Sequence, residues 1–233
     1  MAESLMKALV YHGPKNFEVI SVPIPVCNED EILIRVKFAG VCGTDNRIYQ
    51  GTKKISAPRI TGHEFSGVIE KIGAHVEGYH VGQRVSVYPM IHCGQCYCCK
   101  AGKTNICVNR TTIGYEIDGG FAQYVKIPKE AIVCGNVVPI PDNVSDEIAA
   151  ISEPIAAAYH GIQQAKLQSG DTFVIVGAGP IGLFHTQLSR SFDLAKRIVV
   201  EPIAEKRQMA LDMGADMVLD PASQNASAAI AAA

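Results

Sequence analysis

The sequence carries no surplus of charge: 21 basic and 23 acidic residues leave a formal net charge of −2. That removes the electrostatic case for nucleic acid or an anionic membrane surface as a partner. Long apolar runs are missing too, and the start, MAESLMKALVYHG, has no basic segment ahead of a hydrophobic one. Neither a signal peptide nor a bilayer-spanning segment is expected, which makes the cytoplasm the default location. No internal repeat is present. What remains is an ordinary globular composition, 233 residues that are 48% hydrophobic, enough for one large domain or two small ones.

Without an export signal, eight cysteines need a reason other than disulfides, because a chain of this length can build its own core. Five of them fall between Cys93 and Cys107, and clustering of that kind points to metal.

Up to about residue 150 the chain reads as strands and turns. MKALVYHG, EILIRVKFAGVCG, SGVIEKIG, GQRVSVYPM and FAQYVKIP are rich in Val, Ile and aromatics and are separated by Gly or Pro. That pattern predicts a β-barrel or sandwich with few helices. Near Ile148 the pattern changes to a helix, IAAISEPIAAAYHGIQQA. Beyond it TFVIVGAG, RIVVEP and MVLD alternate with helical IGLFHTQLSRSF and AEKRQMALDMGA, which predicts a parallel sheet covered on both faces. Three strands are half of a doubly wound nucleotide-binding domain, and completing it takes three more βα units of roughly 30 residues each. The tail, ASQNASAAIAAA, is low-complexity and cannot by itself build a packed core. The expectation is a truncated chain, or an Ala-rich end that stands in for unassigned residues.

Cys93, Cys96, Cys99 and Cys107 follow C-x2-C-x2-C-x7-C. Each short step lets a turn aim two thiolates at one ion, and the longer loop returns a fourth to close a tetrahedron. The surrounding loop is polar, so ordering it by metal suits its composition, and a closed all-thiolate site implies a structural zinc. An iron–sulfur cluster is the competing metal, against which stand the seven-residue gap and the absence of Pro after Cys107. Four unligated thiols are the other alternative. On spacing alone, adjacent Cys98 and Cys99 leave the third ligand undecided.

Three more pieces are individually ambiguous: GVCGTD from Gly40, GHEFSGVIEKIG from Gly62 and SEPIAAAYHG with Glu153. Singly, Cys42 reads as a small buried hydrophobe, His63 as a hydrogen-bonded turn histidine, and Glu153 as a helix cap. Gly177-Ala178-Gly179-Pro180-Ile181-Gly182 is G-x-G-x-x-G directly after an apolar strand and opening a helix, the context in which that motif holds a dinucleotide pyrophosphate. Glu201 follows Gly182 by 19 residues at a strand end, where an acid accepts bonds from ribose hydroxyls and repels a 2′-phosphate. That favours NAD over NADP, although Lys206 and Arg207 lie close enough to soften the preference. A plain surface charge is the alternative for Glu201.

Together these pieces resemble the medium-chain zinc-dependent alcohol dehydrogenases, polyol (sorbitol) and threonine dehydrogenase branch, over essentially residues 5–220. Gly62-His63-Glu64-x2-Gly67-x5-Gly73 is similar to that family's zinc signature, and the cysteine knot to its structural-zinc lobe, which selects Cys99 and leaves Cys98 out. The resemblance implies a β-rich GroES-like barrel domain at 1–153 with the lobe at about 90–110, the first half of an α/β Rossmann domain at 154–221, and the tail at 222–233. It implies two zinc ions per chain and NAD as cofactor. The catalytic zinc would be held by Cys42, His63, Glu64 and Glu153, the last two exchanging with water, and Asp45 would orient His63. There the ion lowers the pKa of a substrate hydroxyl and favours loss of hydride. Thr44 would relay the proton. Arg47 stands where many members carry a proton-passing histidine, and arginine is a poor shuttle; an anionic substrate, cofactor phosphates or plain solvation are its open roles. The implied activity is hydride transfer from a secondary alcohol of a polyol, sugar acid or amino alcohol to NAD, in a homodimer or homotetramer. The alternative is a zinc-stabilised non-catalytic relative or inactive fragment.

Overall fold

A computed structural model describes residues 4–233, so the first three residues of the expected first domain lie outside the described part. The chain divides into two compact units, Met1–Glu153 and Pro154–Ala233.

In the first unit β1 (Leu5–Gly13) and β2 (Asn16–Pro23) form a hairpin. Next come β3 (Ile32–Gly40), helix α1 (Gly43–Tyr49), β4 (Arg59–Ile60), β5 (Glu64–Ile72) and β6 (Arg84–Val87). Strands β7 (Met90–Ile91) and β8 (Thr111–Thr112) pair at the root of the cysteine lobe, which contains the single-turn α2 (Tyr97–Lys100). Then follow β9 (Tyr124–Ile127), α3 (Lys129–Val133), β10 (Val137–Pro139) and α4 (Asp146–Ala150), and α5 (Ser152–Ala165) begins at the end of this unit and belongs mostly to the second. One sheet runs β2-β1-β4 and a second β10-β6-β5-β3-β9, all antiparallel. A bridge between Ala8 and Ala122, with Leu9 N–H donating to Phe121 O at 2.8 Å, joins them.

The core of this unit is aliphatic around one ring. Phe65, Ile32, Ile34, Ile69, Val85 and Ile127 are each at most 1% exposed. Burial of such a side chain contributes about 1.5–3 kcal/mol relative to exposure. Phe65 directly follows the candidate ligands His63 and Glu64, so the packed core anchors the segment that carries them. Ser86 Oγ donates to Ala149 O at 3.0 Å and lies 2.7 Å from Ser152 Oγ, fixing the chain immediately before Glu153.

In the second unit β11 (Thr172–Val176), β12 (Lys196–Val200) and β13 (Met217–Leu219) are parallel and adjacent in that order. Helices α6 (Pro180–Leu188) and α7 (Ala204–Asp212) connect them. Ile175, Leu183, Val199 and Ala210 form one buried layer. The Ala-rich tail departs from expectation. It forms α8 (Ala226–Ala231), capped by Asn225, whose side chain accepts from Ala228 N–H at 3.1 Å. Ala226, Ala229 and Ile230 cover Ile198, Val200 and Leu219 on another layer of the sheet. Alanine is a strong helix former whose small side chain allows close packing on an apolar sheet face. Low complexity therefore did not exclude a packed role here. No helix of the described residues is long and apolar enough to cross a membrane.

Candidate functional site

The four knot cysteines converge: one sulfur each from Cys93, Cys96, Cys99 and Cys107 lies within 4.8 Å of the others. Cys96 Sγ is 3.4 Å from Cys99 Sγ and 3.9 Å from Cys107 Sγ. Backbone N–H groups of Gln95 and Cys96 hold the Cys93 thiol below its ordinary pKa, and those of Cys99 and Val108 do the same for Cys96. Desolvation and the neighbouring thiols push Cys99 up. Four thiolates at this spacing repel one another unless a cation sits among them, so the donor set fits a thiophilic dication. Cys98 is 3% exposed and stands outside the cluster.

The second group is assembled from distant segments. Cys42, His63 and Glu64 bring one ligand atom each within 4.8 Å of one another. Cys42 is the N-cap residue of α1, and its backbone N–H donates to Asp45 Oδ2 at 2.8 Å. His63 is positioned through Gly62, whose φ is +90° and where a Cβ would sit 2.7 Å from the Phe121 ring. Burial lowers the His63 pKa to about 4, helped by the charge of Lys53, and raises those of Glu64 and the Cys42 thiol. A neutral imidazole beside a carboxylate and a thiol, each disfavoured as an isolated anion, fits a zinc ion.

Two of the candidate residues sit differently from expectation. Glu153 is outside the converging trio, although it is close enough that the charge of Glu64, after burial, pushes its pKa up to about 7. Asp45 Oδ1 lies 3.9 Å from His63 Nδ1, beyond hydrogen-bond length, and both atoms are buried without a partner. The Asp45 carboxylate caps α1 instead. Arg47 is exposed, and its carbonyl accepts from Thr52 N–H at 2.9 Å and Lys53 N–H at 3.1 Å.

Tyr115 was not singled out from the sequence. Its hydroxyl is 3.2 Å from His63 Nε2, the rings lie 5.0 Å apart, and Thr44 acts as its hydrogen-bond partner. The available signal was the glycine density of TTIGYEIDGGF: a Cβ on Gly114 would sit 2.7 Å from Gly62 O, so the two loops touch through glycines. A cavity of about 610 Å³ lined by Met6, Val10, Pro58 and Tyr124 contains none of these ligands.

In the second unit, Gly177, Gly179, Pro180, Ile181 and Gly182 line a cavity of about 600 Å³ at the start of α6. A Cβ on Gly182 would lie 1.9 Å from Gly177 O, so the third glycine is required by packing. Ala178 N–H is already taken by Glu201 Oε2 at 2.8 Å, and Ile203 N–H donates to Glu201 Oε1 at 3.0 Å. The first-turn N–H groups of Ile181 and Gly182 have no intrahelical acceptor and by helix geometry are free to bind an anion. Arg207 does not stand free beside the acid: its Nη1 donates to Glu201 O and Pro202 O at 2.8 Å and pairs with Asp220 at 3.3 Å.

Residues 28–142 match the family model of the alcohol dehydrogenase GroES-like domain. The L-threonine 3-dehydrogenase of Rhizobium johnstonii is 38% identical over 227 residues, which are 95% of this chain and 64% of that protein. The solved 2R,3R-butanediol dehydrogenase of Bacillus subtilis is 30% identical with a TM-score of 0.87 over 97% of this chain and 67% of its own. The chain belongs to the medium-chain zinc-dependent alcohol dehydrogenases. It has the family's GroES-like domain and Rossmann-type fold, here with three parallel strands. Two further dehydrogenases of this fold have TM-scores of 0.90. One from Escherichia coli CFT073, solved with NADH, is 35% identical, with 98% of this chain and 66% of its own covered. The other, from Sinorhizobium meliloti 1021 and solved with NADP, is 34% identical, with 96% and 64% covered. The chain spans just under two thirds of the length of the curated relatives it matches.

Proposed function

We propose that this chain supplies the metal-binding and first nucleotide-binding parts of a dehydrogenase that moves hydride from a secondary alcohol to NAD. The observation that carries the reading is the convergence of Cys42, His63 and Glu64 within 4.8 Å, with Glu153 next to them. These residues would hold a catalytic zinc, which polarises a bound alcohol hydroxyl and eases hydride loss when present. His63 is kept neutral and offers a lone pair. Cys42 and Glu64 bring the negative charge, and Glu153, its pKa raised by burial and by the charge of Glu64, stands next to them as a further carboxylate. Thr44 and Tyr115 form the hydroxyl pair that would orient the alcohol and pass on its proton. The four knot cysteines would hold a second, structural zinc.

NAD is preferred on the strength of Glu201, which closes the glycine loop and offers its charge where a 2′-phosphate would lie. The capture of Arg207 by Asp220 weakens the case for that residue as a phosphate ligand. The substrate class is a small secondary alcohol of a polyol, sugar acid or amino alcohol. A cytoplasmic homodimer or homotetramer completes the proposal: eight unpaired thiols suit a reducing compartment, and the assembly follows the family. The test is a panel of secondary alcohols offered to the zinc-loaded protein with NAD, following NADH absorbance, beside metal analysis. Two zincs and turnover are expected. One zinc per chain, or two zincs without turnover on any alcohol, would sink the reading in favour of a non-catalytic relative.

A further inference from the structure

We propose that Lys53 makes this site selective for alcohols that carry an anionic group, a carboxylate or a phosphate, so that the substrate is a hydroxy acid or an alcohol phosphate and not a neutral polyol. The inference rests on the dehydrogenase reading above and narrows its substrate class.

Lys53 is built into position. Gly51, with φ +76°, closes the C-terminal end of α1 through its N–H to Ile48 O at 3.0 Å. The N–H groups of Thr52 and Lys53 then both return to Arg47 O, folding residues 51–53 back over the helix whose first turn holds Cys42 and Asp45. The Lys53 ammonium consequently lies 4.4 Å from the centre of the Tyr115 ring, and the Tyr115 hydroxyl is 3.2 Å from His63 Nε2.

The side chain is half-buried, unlike its exposed neighbour Lys54. Lysines elsewhere in the unit that lie near acids are paired: Lys126 with Glu31 and Lys129 with Asp30, both at 3.1 Å. Among the described residues Lys53 belongs to no ion pair, and its ammonium packs on the aromatic face of Tyr115. A half-buried cation held by a ring alone is under-compensated, since a ring contributes about 0.5–2 kcal/mol and a carboxylate more. An anion tethered to an alcohol at the Cys42, His63 and Glu64 cluster would complete it. The cluster and the ammonium would then hold the two ends of one small molecule.

The experiment compares three probes on the zinc-loaded chain by titration calorimetry: 3-hydroxybutyrate, 2-hydroxypropyl phosphate and neutral 2,3-butanediol. The parent protein is expected to bind at least one anionic probe about tenfold tighter than the diol at low salt, the size of a charge-assisted contact. Lys53→Gln should abolish that difference without weakening the diol, and Lys53→Arg should restore it. Whichever anionic probe loses more on Lys53→Gln identifies the preferred group. No anion preference in the parent protein, or equal weakening of all three probes by Lys53→Gln, overturns the proposal. NADH formation is followed separately: its absence with every probe removes the dehydrogenase reading, while the binding contrast is measured without turnover.

Discussion

The two candidate metal groups are made from similar side chains in opposite ways. The knot takes four thiols from one 15-residue stretch of a lobe whose hydrogen bonds are mostly its own, such as Lys103 N–H to Cys98 O at 2.9 Å. The other group takes a thiol from a helix cap, an imidazole and a carboxylate from the start of a core strand, and a nearby acid from the end of the unit. A local loop with little apolar surface would depend on a bound metal for order. The core site is ordered by packing, so its ligands are held with or without an ion and can tolerate an open position.

His63→Ala breaks this comparison most severely on the side of the core group. It should lower kcat/KM with the best alcohol by roughly a thousandfold or more, in line with several kcal/mol of metal assistance. One zinc should be lost while the thermal unfolding transition stays within a few degrees. A collapse of the fold would show that this site too is built on its metal. Phe65→Ala probes the packing beneath the same strand. A fully buried ring of this kind costs about 3–5 kcal/mol on truncation, read as a lower denaturation midpoint, and Cys93–Cys107 should keep its zinc.

In the lobe, Cys99→Ser should release one zinc and open residues 93–107 to limited proteolysis, whereas Cys98→Ser should do neither. Equal metal loss in both would reassign the ligand. The smallest expected effect lies in the second unit. Glu201→Gln keeps an acceptor for one of the two backbone N–H groups but removes the charge. The ratio of NAD to NADP efficiency should fall about tenfold, the scale of one charge-assisted contact. An unchanged ratio would leave Glu201 with only its role of closing the glycine loop.

Much of the knot was legible because its ligands are neighbours in sequence and their spacing reflects turn geometry. Even there, spacing could not choose between Cys98 and Cys99; the folded lobe brings Cys99 to the other three sulfurs. The strands and the glycine loop were legible for the same local reason. Tyr115 was not, because its approach to His63 depends on contact between two glycine loops distant in sequence, around Gly62 and Gly114. Lys53 was silent as well, since an isolated lysine carries no pattern until a helix end folds it back over an aromatic ring.

By itself the sequence determined the periodicity of each unit, the ligand types and the order in which they occur, since these follow from side-chain chemistry and local backbone preference. The tertiary structure decided three things that depend on contacts between distant segments. It gathered Cys42, His63 and Glu64 while holding Glu153 just outside them, it committed Asp45 to the helix cap, and it gave the Ala-rich tail an apolar sheet face to cover.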